Sequence, residues 1–301
     1  MYISIAIVAY LVLAIVGILD KFIVDKSVPR PIVFTFYSTI FLLPLFLLAP
    51  LGTGSPSGWF DLAACVVSGF AFSAALFASY RGLQTSEVSH LGPLIGASTP
   101  FFVFWLSGAL LHENFSTRQL LAIALLIVGS LIISFEQSKK FHGWHRGLLW
   151  GVLAGLLFAV SHVASKYIYG VYGFTTGLIW TRGFMGVFGL LLLFSPTVRA
   201  LFGRAKKSAS GGYSIGKQIL VVGANKFLGL IGVVLEQYAI AIGSVTIVNA
   251  LVGVQYGCLI LLVIVLSFFW PKLFSEDYTR SEIIQEIAAV AFIAFGLWML
   301  I

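Results

Sequence analysis

SYRGLQTSEVSHL, residues 79–91, and EQYAIAIGSVTIV, residues 236–248, share one skeleton: a tyrosine, an apolar or small run, then a serine opening the next segment. The alignment sets Tyr80 against Tyr238 and Ser86 against Ser244. What this likeness means depends on the segments around it. The chain has 301 residues, 59% of them apolar and only 10% charged, and its mean hydropathy is +1.03. That leaves too little polar surface to cover a soluble globule, so the chain is an integral membrane protein.

A membrane-crossing helix takes roughly 20 mostly apolar residues. Breaking the chain at Gly, Pro and charge clusters predicts ten such helices: 2–26, 31–50, 59–84, 87–111, 116–136, 147–168, 173–195, 216–241, 244–269 and 283–301. The first, MYISIAIVAYLVLAIVGILDK, lacks the basic leader and small-residue cleavage site of a secretory signal and reads as a retained span.

Two further pairs extend the likeness. LDKFIVDKSV (19–28) resembles ASKYIYGVYG (164–173), aligning Lys21 with Lys166. LLAIALLIVGSLII (120–133) resembles EIAAVAFIAFGLWML (286–300), with Gly129 and Gly296 in the same place. A five-helix unit duplicated in tandem, 1–138 and 139–301, follows. Five is odd, so the second copy enters the bilayer from the opposite side and the repeats are inverted. This is the usual construction of secondary transporters, whose antiparallel halves open a midplane site to either side in turn. The predicted fold class is all-α, with ten transmembrane helices as two inverted five-helix repeats.

Lys and Arg concentrate in the loops after spans one, three, five, seven and nine, whereas the other side holds only Arg118 and Lys166. The basic side, with the loops after spans one, three, five, seven and nine, is expected to be cytoplasmic, which leaves both termini outside. The net charge of +7 therefore reflects orientation, and no nucleic-acid partner is expected. Cys65 and Cys258 lie far apart in apolar runs without metal-ligand spacing, so no metal or other cofactor is expected.

The paired repeats, the lysine near the end of each first helix (Lys21, Lys166) and LGPLIGASTPFFVFWLSGALLHENFSTRQLLAIALLIVGSLII (91–133) together resemble the drug/metabolite transporter superfamily, and within it the EamA-type permeases. The last stretch resembles the family's fourth and fifth helices: a mid-helix Pro100, then Glu113, then an apolar helix with a late glycine. Cys258 stands where the second repeat would carry the matching proline. The resemblance implies a basket around a central cavity and export or exchange, across a cell membrane, of amino acids or similar small metabolites.

Deep polar residues are the candidates for the work. A charge at the midplane costs roughly 2.5–3.5 kcal/mol on insertion scales and marks a functional site or a structural pair. Lys226, in GANKFLGLIGVVLEQYA (223–239), shares a helix side with Gly229 and Glu236 and is the leading substrate contact. Arg182 is the second deep cation; structural pairing and substrate contact both fit it, and it is a gating or coupling candidate. Glu236 reads as a proton-coupling carboxylate or as an interfacial partner of a base. His162 and Lys166 share a face of span six, where the lysines of both repeats are gate candidates and His162 a substrate contact or a packing residue. His90, Pro93, Ala97 and Pro100 form a stripe expected to line the cavity. Asn249, Gln255 and Tyr256 on span nine are further polar contacts, with helix-to-helix hydrogen bonding as the alternative.

Other functions fit less well. No HExxH or deep aspartate pair is present for an intramembrane enzyme, no filter sequence for a channel, and no GxxxxGK[ST] for ATP use. A non-transporting scaffold has little exposed loop to work with. The expected partners are a small-molecule substrate, the lipid bilayer, and a coupling proton or counter-substrate.

Overall fold

The computed structural model describes residues 1–24, 31–51, 54–84, 88–134, 146–204, 215–269 and 280–301. Among these the chain is helical and contains no strand. Helix α1 runs Tyr2–Val24 and α2 Pro31–Ile40. The next predicted span does not stay α-helical: Leu43–Leu51 is a 3-10 segment. Pro44 and Pro50 both fall in this segment, and each removes a helix donor. Then follow α3 (Trp59–Leu83), α4 (Val88–Leu110), α5 (Thr117–Ser134) and α6 (Arg146–Leu192). Predicted spans six and seven belong to this one helix, broken at Gly173, where φ is 76° and ψ 170°. That conformation is open to glycine and strained for other residues. A short α7 (Pro196–Arg204) precedes α8 (Ile215–Ile242). Predicted span nine is divided by a turn at Leu251 into α9 (Val245–Ala250) and α10 (Val252–Phe269), and α11 is Arg280–Leu300.

Seven helices among the described residues are long and apolar enough to cross a membrane, the α6 window covering 46 residues, and Phe227–Ile242 and Ile284–Leu300 are shorter apolar helices. Large apolar side chains such as Phe41, Leu47, Phe101 and Ile287 are exposed. In a bilayer these face acyl chains, so their exposure carries no penalty.

Helices pack α1 on α8, α3 on α6, α4 on α6, α1 on α10, and α5 on α11. Small residues bring the backbones close, as is general in membranes. Gly183, Gly186 and Gly189 present one face of α6 to the chain between Thr39 and Phe46, and a β-carbon on any of them would collide with it. The α5–α11 crossing is reciprocal. Gly129 faces Ala289 and Ile293, which lie seven and three residues before Gly296, and Gly296 faces Ala122 and Leu126, which lie seven and three before Gly129.

Candidate functional site

Two polar groups stand out in this apolar bundle. The first closes one end of it. Glu113, just beyond α4, accepts from Ser244 Oγ (3.0 Å), the Val245 amide (3.0 Å), the Thr246 amide (3.4 Å) and Thr246 Oγ1 (2.8 Å). Ser244 is the N-cap of α9 and accepts from the Ile247 amide. A carboxylate over the unsatisfied amides of a helix N-terminus is a charge-assisted cap. On the other side of the same turn, Lys166 Nζ donates to the carbonyls of Ala241 (3.0 Å) and Gly243 (2.6 Å) at the end of α8. The turn between α8 and α9 is thus held by an anion at its helix start and a cation at its helix end. Ser107 Oγ and Thr246 Oγ1, 2.6 Å apart, tie α4 to α9 as well.

The second group lies deeper, where α1, α6, α8 and α9 meet. His162 Nδ1 is 2.6 Å from Asn249 Oδ1, while Asn249 Nδ2 donates to the Val245 carbonyl (2.8 Å). With the amide so oriented its oxygen accepts, so His162 donates from Nδ1 and, when neutral, carries a lone pair on Nε2. Tyr10 donates to the Val248 carbonyl (3.0 Å) and lies 3.3 Å from Glu236 Oε1. Tyr169 donates to Gln237 Oε1 (3.0 Å). Arg182, 4% exposed, sets its guanidinium carbon 4.3 Å from the centre of the Phe72 ring and directs Nη1 at Met185 Sδ (3.1 Å). Arg182, Glu236 and Tyr169 act on one another electrostatically, and Arg182 acts on His162. Tyr256 is within the same reach of Glu236 and Tyr10, and its ring rests on Gly92 and Gly96 of α4.

This group leaves hydrogen-bonding capacity unused. Arg182 Nε and Nη2, Gln237 Nε2 and His162 Nε2 are buried and without partners. Buried polar atoms are almost always paired, so a cluster of exceptions points to water or a ligand between them.

The sequence-derived candidates separate accordingly. His162, Asn249, Arg182, Glu236 and Tyr256 come together in the deep group, whereas Lys166 belongs to the end closure. Gln255 is half-buried on α10. The helical backbone of Lys226, His90 and Lys21 is described, but their side chains lie outside the described residues. On the stripe read on α4, Ala97 lines an apolar cavity of roughly 300 Å³ between α4, α5 and α6, with Phe102, Ile127 and Leu148. The α4 residues toward Tyr256 are Gly92 and Gly96, and at Gly96 a β-carbon would collide with that ring. Tyr10, Tyr169, Gln237 and Phe72 were not singled out from the sequence; the carboxamide beside Glu236 deep in span eight was the signal for one of them. Among the described residues no three His, Cys, Asp or Glu side chains cluster as metal ligands.

Comparison with known proteins supplies the context for this arrangement. Residues 1–135 match the EamA-like transporter family. The matched stretch covers α1–α5 and leaves the second half of the chain outside the match. A solved structure titled "Crystal structure of protein" aligns with 99% of this chain and 94% of its own at a TM-score of 0.65 and 15% identity, which shows a shared fold. No curated protein matches. With several helices long and apolar enough to span a bilayer, the chain is a multi-pass membrane protein.

Proposed function

We propose that the chain is a secondary-active transporter of small polar metabolites, an exporter or exchanger working by alternating access between two inverted five-helix repeats, 1–138 and 139–301. The observation that carries this reading is the deep polar group, drawn from α1 on one side and α6, α8 and α9 on the other, with His162 bonded to Asn249 and Tyr10 beside Glu236. A polar group this deep in an apolar bundle is a costly feature that a purely structural protein has no need to keep.

Inversion is supported by correspondences between the halves. Phe34 on α2 meets Tyr80 on α3 at 4.6 Å between ring centres, and Phe174, just past the α6 break, meets Tyr238 on α8 at 5.1 Å. Tyr80 and Tyr238 are aligned positions in the proposed repeats, and each meets a phenylalanine of the span before its own. The reciprocal α5–α11 crossing is what a two-fold axis in the membrane plane would produce. Dividing α6 at Gly173 and counting the two shorter apolar helices gives ten crossings.

In this reading the Glu113–Ser244–Lys166 contacts are the closed gate of one end. Glu113 belongs to the first half and grips α9 of the second, so opening that end requires the carboxylate to leave the amides it caps. Lys166 fills the gating role, Glu236 is the coupling carboxylate, and Asn249, Gln255, Tyr256 and His162 line the substrate route.

The test is counterflow in proteoliposomes with a panel of labelled polar metabolites. Saturable, competed exchange of one class is expected. Absence of exchange for every class in vesicles containing folded protein contradicts the reading.

A further inference from the structure

The unused hydrogen-bonding capacity in the deep group has a definite shape. On Arg182, Nη1 is turned to Met185 sulfur and the guanidinium face rests on Phe72, while Nε and Nη2 are unpartnered. Those two nitrogens lie along one edge of the guanidinium and project parallel N–H bonds, the fork that takes both oxygens of a carboxylate at once. Arginine does not escape its charge by deprotonation. A cation at 4% exposure with its fork empty, about 14 Å along the helix from the Gly173 break, therefore calls for an anionic partner. Among the described residues no carboxylate hydrogen-bonds it, and Glu236 Oε1 is engaged with Tyr10. Gln237 Nε2 is another unpaired donor, on a side chain held by Tyr169, and Tyr169 is itself within electrostatic reach of Arg182. His162 Nε2 offers a lone pair nearby. Trp180 Nε1 is unpaired too, but its ring packs among Phe46 and Phe184, so it belongs to a neutral packing face.

We propose that Arg182 is the carboxylate contact of the transport site. Its Nε/Nη2 edge, aided by Gln237 Nε2, holds the acid group of a small organic acid, and His162 Nε2 and Glu236 receive a hydroxyl or amino donor elsewhere on the same solute. This rests on the transporter reading and narrows it to solutes that carry a carboxylate beside a donor group. Uncharged sugars, nucleosides and simple amines lack the group that fills the fork.

The experiment uses the full chain in lipid nanodiscs and matched probes: lactate against lactamide, and alanine against alaninamide, with binding read by calorimetry. Wild type is expected to prefer at least one acid over its amide by about tenfold or more, and Arg182→Lys, which keeps the charge and loses the fork, to erase that preference. Should the lysine variant fail to fold, Gln237→Glu removes a donor and adds a like charge, and it is expected to erase the preference as well. Equal binding of acid and amide by wild type, binding of none of the four probes, or an acid preference that survives in a folded variant overturns the assignment. Counterflow in the same protein separates the two levels. Exchange of polar solutes without acid preference leaves the transporter reading standing and removes this one. Acid-selective binding without any exchange keeps Arg182 as a carboxylate contact and removes the transporter reading, and with it the placing of that contact in a transport site.

Discussion

The two polar groups differ in how completely their atoms are used. At the end of the bundle, Glu113 receives four donors and Lys166 two carbonyls, and both ions rest on helix termini that need them. In the interior, His162 is bonded on one nitrogen only, Gln237 on its oxygen only, and Arg182 has an empty edge. A group that holds helices together is expected to saturate its contacts. A group that binds a solute keeps some open. The difference assigns stability to the first and recognition to the second, and the assignment is testable because the two properties separate on mutation.

Arg182→Met is expected to eliminate transport, leaving a signal at the level of empty vesicles, while the melting temperature stays at or above that of wild type. An unpaired buried charge contributes little to stability, and apolar replacements of such charges are often neutral or stabilising. Glu113→Ala is expected to do the opposite in the melt, losing about 2–4 kcal/mol because the N-terminus of α9 and two hydroxyls lose one shared acceptor. Differential scanning fluorimetry of the two variants side by side is the check; a larger melting loss for Arg182→Met would dissolve the contrast. Lys166→Met leaves two α8 carbonyls without that donor and is expected to cost about 1–2 kcal/mol in the same assay. A double-mutant cycle of His162→Phe and Asn249→Leu is expected to give the smallest effect, a coupling of about 1 kcal/mol in denaturant or thermal unfolding.

Much of the fold was legible because bilayer thickness and hydropathy leave few choices. α3, α4, α5 and α8 begin and end within two residues of the positions read from the chain. The differences lie where helix type or continuity changed without a change in polarity. Leu43–Leu51 is as apolar as an α-helical span but runs as 3-10 past Pro44, and α6 is assigned through Gly173 with no polar loop between its legs. Charged residues in the site were visible because charge is rare in a span. Tyr10, Tyr169 and Phe72 were hidden among the chain's many aromatic residues, since an aromatic ring in a membrane helix is most often packing. Glu113 was noticed as part of a family pattern, but its role as a cap depended on α9 being 131 residues away in sequence at Ser244 and adjacent in space. No periodicity carries that information.

The reading of the interior stands or falls on exchange by Arg182→Met, reconstituted at the same density as wild type and confirmed folded. Wild type is expected to exchange a labelled small organic acid against its unlabelled form, and the variant to show no exchange above protein-free liposomes. A variant that exchanges at the wild-type rate would mean that the empty edge of Arg182 is filled by nothing that crosses the membrane.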